Sequence, residues 1–363
     1  MFRGDSPFKV YCQDCWWSDK WDPTKYTLEN FDFSKPFFPQ FKTLLDKVPM
    51  MNLTNDRLSL VNCDYVNFVS DAKNCYLVFA SNFLEDCMYD NYIWESKDTF
   101  DCAHSTKLEL CYECIDCDKL FNCNYLQNSQ GCTDCTLCFG LKSCRNCFGC
   151  VSLMHKENYF FNKQLSKEEY EKQTKEILKN PEEFKKAQKK FEEFQLKFPR
   201  KFAQIAKSEN STGDGIKNCK NAFDCFDGYK AEDVKWIDNF PGDIKDCYDQ
   251  SGTAQIELAV DSVCAGLQAY HIRYSVVALT SSYCDYCVNI KGCKNCFGCV
   301  GIKQKSYCIF NKQYSKEEYE TLTQKLITHM KETGEWGELF PIELSPYPFE
   351  ETQAHDYHPK LWK

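Results

Sequence analysis

Two short stretches of this sequence carry three cysteines each, spaced at i, i+3 and i+6. They are KSCRNCFGCVSL (residues 142–153) and KGCKNCFGCVGI (residues 291–302). The chain contains 26 cysteines among 363 residues, a density typical of disulfide-rich secreted proteins or of metal proteins. The chemistry to consider is therefore metal ligation, disulfide formation, or the burial of reduced thiols.

Neighbouring CxxC pairs give the most specific metal signal in the chain. Structural zinc is held by four thiolates in a tetrahedron, and four cysteines can also hold an iron–sulfur cluster. Zinc is the first expectation and an iron–sulfur cluster the second. The candidate ligands are Cys135, Cys138, Cys147 and Cys150 in the first half, and Cys284, Cys287, Cys296 and Cys299 in the second.

A 12-residue period could generate these CxxC pairs without any metal. One column of the period holds seven cysteines and one threonine, and Asn or Asp precedes most of them: Cys63, Cys75, Cys87, Thr99, Cys111, Cys123, Cys135 and Cys147. Further columns, three and six residues on, contain small or apolar residues. Reduced cysteine is itself a small residue that prefers the interior. The period therefore offers packing as an alternative to ligation.

The second half of the chain favours packing, because Val234 and Ala259 stand where the column has cysteine elsewhere. An obligate ligand would not be replaced in this way. Disulfides are geometrically possible between stacked strands, but a reducing compartment opposes them. Packing, metal binding at the two terminal clusters, and disulfide or redox chemistry all remain open.

The same period predicts the fold. Twelve residues are too few for a helical hairpin repeat but suit one coil of a β-solenoid, in which strands stack about 4.8 Å apart. Asn and Asp suit the corners because they tolerate a left-handed backbone. Residues 147–171 match residues 296–320, so the unit is duplicated, with two single-residue insertions in the second copy. We expect a mainly β protein with two tandem β-solenoids of 12-residue coils, each followed by amphipathic helices that cover an edge.

Six segments follow from these patterns. Capping boxes at Ser166 with Glu169, and at Ser315 with Glu318, mark the starts of helices. The predicted segments are an aromatic-rich N-terminal cap (1–50), a first solenoid (51–165), basic amphipathic helices (166–210), a second solenoid (211–314), a capping helix (315–333) and an aromatic and proline-rich extension (334–363).

The N-terminal segment stands outside the repeat. Cys12 and Cys15 could supply half of a zinc site, but no second local CxxC completes it. We expect the three tryptophans that follow, Trp16, Trp17 and Trp21, to cap the open first coil, with an aromatic ligand groove as the alternative.

Charge and motifs narrow the function classes. A net charge of -9 argues against general nucleic-acid binding; the exception is the Lys-rich stretch 166–207. No apolar run is long enough to span a membrane, and no signal-peptide core is visible, so we expect a cytoplasmic protein. No nucleotide-binding, zinc-protease or serine-hydrolase motif is present. We therefore name no catalytic residue, and whether the chain is an enzyme stays open, with the balance against it.

Several blocks of the chain together resemble a known family. SPFKVYCQDCWWSDKWDP (6–23), KNCYLVF (73–79), CYECIDC (111–117) and GEWGELFP (334–341) are similar to an uncharacterised cysteine-rich repeat family of small-genome bacteria. Longer members of that family carry zinc-ribbon CxxC pairs upstream, and some carry a coenzyme-A-transferase label that nothing in this sequence supports. The resemblance implies no established activity.

Three functions remain. The leading expectation is a non-enzymatic repeat scaffold that binds a partner protein. The alternative is a structural zinc or iron–sulfur protein that uses the CxxC pairs. The second alternative is an enzyme that acts on a polysaccharide along one solenoid face.

Overall fold

The structure is a computed structural model that describes residue 2 and residues 5–351. Residues 352–363, the end of the predicted C-terminal extension, lie outside the described residues. The predicted mainly β fold is confirmed. The chain divides into two compact units. The described parts are residues 53–201 for unit 1, and residue 2, residues 5–52 and residues 202–351 for unit 2.

Five α-helices lie within the described residues: α1 Gln13–Trp17, α2 Phe37–Leu45, α3 Lys167–Leu178, α4 Pro181–Gln195 and α5 Lys316–Glu332. Short 3-10 helices span Pro23–Lys25, Arg57–Ser59, Ile342–Leu344 and Phe349–Glu351. No helix in the described part of the chain is both long and apolar enough to cross a membrane.

Unit 1 contains one sheet of eleven strands. The strands are β3 Leu60–Val61, β4 Asn67–Lys73, β5 Phe79–Met88, β6 Asn91–Phe100, β7 Ala103–Tyr112, β8 Asp118–Phe121, β9 Asn124–Gln127, β10 Thr133–Phe139, β11 Arg145–Phe148, β12 Glu157–Phe160 and β13 Lys163–Gln164. The two strands that precede them in the chain, β1 Val10–Tyr11 and β2 Met50–Met51, belong to unit 2 and pair with each other. Pairing is parallel except between β12 and β13. Each residue pairs with the one 12 positions later, as Asn67 does with Phe79 and Phe79 with Asn91. The sequence period is therefore the pairing register, and we call each 12-residue advance a step.

The backbone turns because left-handed residues recur at every third position. Asn62, Tyr65, Phe68, Asp71 and Asn74 have φ between 50° and 55°. This conformation is uncommon for residues other than glycine, and Asn and Asp adopt it most readily. The amides also stack between steps, since the Asn62 side chain donates to that of Asn74 over 2.8 Å. The Asn and Asp column thus stabilises one line of turns.

Helices α3 and α4 pack on unit 1. The Ser166 capping box is present, because the Ser166 hydroxyl accepts from the Glu169 amide over 3.2 Å and the Glu169 carboxylate accepts from the Ser166 amide. The apolar face of α4 joins a cluster with residues of the sheet: Leu137, Phe148, Val151, Phe161, Tyr170, Ala187 and Phe191. The helices end at Gln195, before Pro199, rather than reaching residue 210.

Unit 2 repeats the arrangement in a sheet of fifteen strands. They are β14 Ile205–Ala206, β15 Gly213–Lys217, β16 Lys220–Phe223, β17 Cys225–Tyr229, β18 Ala231–Phe240, β19 Ile244–Lys245, β20 Tyr248–Ser251, β21 Ala254–Val263, β22 Gly266–Arg273, β23 Val276–Leu279, β24 Ser282–Asp285, β25 Val288–Lys291, β26 Lys294–Phe297, β27 Ser306–Ile309 and β28 Lys312–Gln313. The pairs Lys235 with Tyr248 and Val260 with Arg273 are 13 residues apart rather than 12. These longer steps accommodate the two expected insertions.

The N-terminal segment belongs to unit 2, which corrects the expectation that its tryptophans cap the first coil. Phe37 of α2 lies 5.4 Å from Tyr286 and 5.8 Å from Phe297 between ring centroids. Trp16 is buried beside Gly301. The aromatic-rich segment buries its rings against an aromatic column of the second repeat.

Candidate functional site

The cysteines occupy two environments. Only Cys12 and Cys15 are exposed, Cys63 and Cys264 are half-buried, and the remaining cysteines of the chain are buried. No disulfide is present among the described residues, which include every cysteine. The buried thiols line the interiors of the two units.

Buried thiols make a repeated pair of contacts with the backbone. Cys138 Sγ lies 3.2 Å from the carbonyl oxygen of Thr136, two residues earlier, and 3.5 Å from that of Cys147, nine residues later. Cys287 repeats this with Asp285 at 3.3 Å and Cys296 at 3.7 Å. All eight predicted ligands contact both kinds of carbonyl. A thiol can donate its single proton to such an oxygen, whereas a metal-bound thiolate has none to donate.

Serine fills the same interior positions with the same geometry. The Ser81 hydroxyl donates to the carbonyl of Phe79 over 2.7 Å and accepts from the amide of Ile93 over 3.0 Å. Cys138 matches it as an acceptor, because the amide of Cys150 lies 3.4 Å from its sulfur. The columns therefore hold a small side chain that both donates to and accepts from the backbone.

The predicted ligands do lie one step apart. Cys135 pairs with Cys147, and Cys284 pairs with Cys296, as neighbours on adjacent strands. Within the described residues, however, no group of three or more His, Cys, Asp or Glu side chains is arranged so that it could hold a metal ion. Metal binding by these residues stays a prediction.

Burial raises the pKa of several interior thiols. It raises the pKa of Cys225 and of Cys247 to about 11, and it raises the pKa of Cys287 as well. Cys284 differs, because hydrogen bonds from Cys287 and Cys296 to its sulfur lower its pKa. The terminal cluster of unit 2 thus contains a buried thiol with a lowered pKa.

An exposed row of aromatic rings was not anticipated from the sequence. We call it the aromatic ladder, and it consists of Tyr65, Tyr76, Tyr89, Phe100, Tyr112 and Tyr125. Successive ring centroids are 5.7, 5.8, 5.0, 5.9 and 5.2 Å apart, and most pairs meet edge to face, which is the favoured geometry. Its first four rings are 37–55% exposed. The sequence did contain a signal for this row, because aromatic residues recur one or two positions after the cysteine column.

The corners of the sheet position the ladder. Tyr65, Tyr89 and Tyr125 are themselves left-handed residues, with φ of 54°, 59° and 60°. Tyr76 and Tyr112 directly follow the buried Cys75 and Cys111. Because side chains at a corner splay outward, rings from adjacent steps meet on one outer edge.

Carboxylates flank the ladder, and the nearest lysines, Lys73 and Lys97, lie one column further out, where both pair with Glu85. The columns one residue before, and one and two residues after, the cysteine column contain no Lys or Arg between residues 62 and 113. They do contain five acids: Asp64, Asp86, Asp98, Asp101 and Glu113. A hydrogen bond to Glu113 raises the pKa of Tyr112. The ladder is therefore an apolar stripe with a negative border.

Helix α4 covers the continuation of this stripe. Phe184 lies 5.3 Å from Tyr125, and Phe194 lies 5.5 Å from Phe161, between ring centroids. The ammonium group of Lys190 lies 4.0 Å from the centroid of Phe161, a cation–π distance. The C-terminal part of the stripe is thus occupied by phenylalanines and a lysine of one amphipathic helix.

Helix α2 covers the matching columns of unit 2. Phe37 packs on Tyr286, Phe297 and Phe310, with a centroid distance of 5.6 Å to Phe310. Phe37 stacks at 5.8 Å on Phe41, one helical turn later. In both units, a helix carrying phenylalanine rests on the aromatic columns.

The tryptophans of the N-terminal segment surround a lysine of their own unit. The Lys303 ammonium lies 5.1, 4.7 and 5.2 Å from the ring centroids of Trp16, Trp17 and Trp21, and it donates to the Trp16 carbonyl. The three rings that were expected, in the alternative prediction, to line an aromatic ligand groove are therefore in contact with Lys303. Cys15, beside them, donates its amide to Cys12 Sγ over 3.5 Å.

A polar groove bears on the polysaccharide alternative. It lies on unit 2, has a volume of about 630 Å³, and is lined in part by Lys220, Glu232, Lys245 and Glu257. Glu232 pairs in register with Lys245, and Lys245 with Glu257. Glu232 also forms an ion pair with Lys220 at 3.4 Å. Each carboxylate thus has a lysine neighbour, and the groove does not point to an acid and base pair.

Comparisons with known proteins leave the family open. No family model and no curated protein matches the chain. A solved structure from Desulfovibrio desulfuricans G20, described as a "putative acetyltransferase", aligns over 76% of this chain and 81% of its own, with 9% identity and a TM-score of 0.14. An alignment at that score supports no conclusion about fold or function.

Proposed function

We propose that the protein is a non-enzymatic scaffold that binds a partner protein and is built from two β-solenoids with 12-residue coils. The parallel register of 12 residues supports the solenoid arrangement. Left-handed residues at every third position support it as well, because they supply corners within each step. The proposal includes a cytoplasmic location, since thiols in this number suit a reducing compartment.

The exposure of the aromatic ladder carries the partner-binding part of this proposal. Contiguous apolar side chains at a surface mark interaction sites more often than single exposed ones do. Aromatic residues are also the side chains most enriched at binding hot spots. The chain covers the continuation of the ladder with α4 and leaves four rings 37–55% exposed.

Affinity isolation from an extract of the source cells, with the full chain as bait, tests the proposal. The ladder variant is Tyr76→Ser with Tyr89→Ser. The control variant is Tyr248→Ser with Tyr283→Ser, which removes exposed tyrosines of unit 2. We expect a protein that is retained by the wild type and the control and is lost from the ladder variant. Equal retention by all three baits would refute a role for the ladder.

A structural metal protein is the second candidate, favoured by the pairing of Cys135 with Cys147 and of Cys284 with Cys296 on adjacent strands. Elemental analysis of anaerobically purified protein, with a thiol count under denaturant, decides between the two. About two zinc or iron atoms per chain would support this candidate. The absence of metal, with all 26 thiols of the sequence free, would support the packing role.

A further inference from the structure

We propose that the uncovered part of the aromatic ladder, from Tyr65 to Tyr112, binds an amphipathic helix of the partner. That helix carries phenylalanine at i, i+3 or i+4 spacing, with Lys or Arg beside it. This inference rests on the proposed scaffold function and specifies the chemistry of the partner.

Continuity with a contact already present in unit 1 is the first argument. The ladder runs without a gap from Tyr112 to Tyr125, at 5.2 Å between centroids, and Tyr125 meets Phe184 of α4. Downstream, α4 places Phe194 against Phe161. The same stripe therefore passes from an uncovered part to a part that a helix covers, and the covering residues show which chemistry fits.

Unit 2 gives an independent instance. Its matching columns are contacted by Phe37 of α2, and Phe41, four residues later on the helix, stacks on Phe37 at 5.8 Å. Both phenylalanines are fully buried. Two helices of unrelated sequence thus meet the two aromatic columns with phenylalanines, so the requirement is for the pattern rather than for one particular sequence.

The charges beside the ladder indicate which side chains should flank the phenylalanines of the partner helix. The three columns nearest the ladder hold five carboxylates, and Lys73 and Lys97 lie one column further out, so a lysine or arginine beside the phenylalanines of the helix is complementary to these carboxylates. Helix α4 carries four lysines and four glutamates, and one of the lysines, Lys190, sits over Phe161. A lysine or arginine of the partner can therefore contact both a ring and a neighbouring carboxylate.

Length sets the size of the occupant. Tyr65 to Tyr112 covers four steps, or about 19 Å at about 4.8 Å per step. A helix of about 13 residues has that length at 1.5 Å per residue. Helix α4, with 15 residues, is of this size.

The test uses a fluorescent, N-acetylated peptide with the sequence of residues 181–198 and the full-length protein. We expect saturable binding in fluorescence anisotropy. The variant Tyr76→Ser with Tyr89→Ser should bind at least about tenfold more weakly, because loss of a central aromatic contact typically costs that much. The control Tyr248→Ser with Tyr283→Ser should stay within about twofold. A peptide with Phe184→Ser and Phe191→Ser should not bind.

Charge is tested separately. The double variant Asp86→Asn with Asp98→Asn should weaken binding and reduce its dependence on salt, because fewer charges would attract the lysines. Circular dichroism of each variant establishes that the fold is retained. Unchanged affinity and salt dependence would overturn the basic character assigned to the helix.

The remaining outcomes separate the two proposals. Absence of binding at millimolar peptide, with ladder-dependent retention of a cellular protein still present, overturns the helix and leaves the scaffold function standing. If neither peptide binding nor ladder-dependent retention of a cellular protein is observed, both the helix proposal and the scaffold function are overturned. Ladder-dependent dimerisation in sedimentation, without peptide binding, identifies a second copy as the occupant and also overturns the helix.

Discussion

Asp90 should make the stability of unit 1 depend on pH, and its replacement by asparagine should remove that dependence. Asp90 is fully buried in an interior column that elsewhere holds Val, Cys or Leu. Its carboxylate accepts from the Thr99 hydroxyl and from the Cys102 amide, each over 2.7 Å. Burial raises its pKa from 3.8 to about 6 in spite of these two hydrogen bonds.

The sign follows from proton linkage. The folded state binds the Asp90 proton more tightly than the unfolded state, so its stabilisation is complete below about pH 4 and is lost as the pH rises through about 6. At about 1.4 kcal/mol per pKa unit, the change is about 3 kcal/mol. Asp90→Asn should therefore raise the free energy of unfolding by up to about 3 kcal/mol at pH 8 and have little effect at pH 4.

Urea unfolding followed by far-ultraviolet circular dichroism at several pH values between 4 and 8 measures this difference. The exposed Asp64→Asn substitution serves as the matched control, and its profile should run parallel to that of the wild type. The reasoning is refuted if Asp90→Asn also runs parallel to the wild type, or if it is the less stable protein at pH 8.

Other substitutions probe the interior columns and the packed N-terminal segment. Ser81→Ala should lower the free energy of unfolding by about 1–3 kcal/mol, because it leaves the Ile93 amide without its acceptor. Ser81→Cys should lower it by less, and urea unfolding of the two variants measures the difference. In the native protein, only Cys12 and Cys15 should react rapidly with a maleimide, whereas denaturation should expose all 26 thiols; fast labelling of more than a few further cysteines, counted by mass spectrometry, would contradict their burial. Phe37→Ala should destabilise unit 2 by about 3–5 kcal/mol, and protease sensitivity of residues 2–52 should rise with it; an unchanged digestion pattern would argue against the packing of α2.

The sequence by itself determined the features that repeat or that are local. The 12-residue spacing of Cys87, Thr99 and Cys111 is the register in which these residues pair, because parallel strands in register align equivalent positions. The helix starts at Ser166 and Ser315 were likewise readable, since a capping box satisfies backbone amides within four residues. Such features need no information from distant parts of the chain.

Other features were decided only by tertiary structure. The contact of Phe37 with Phe297 joins residues 260 positions apart and has no periodic signal. The exposure of the aromatic ladder depends on where α4 ends its coverage, at Tyr125. The spacing of the cysteines could not separate ligands from packing residues, because the repeat produces CxxC pairs in either case. The folded backbone adds what spacing lacks, since it places carbonyl oxygens 3.2 and 3.5 Å from Cys138 Sγ, where a protonated thiol has acceptors for its hydrogen.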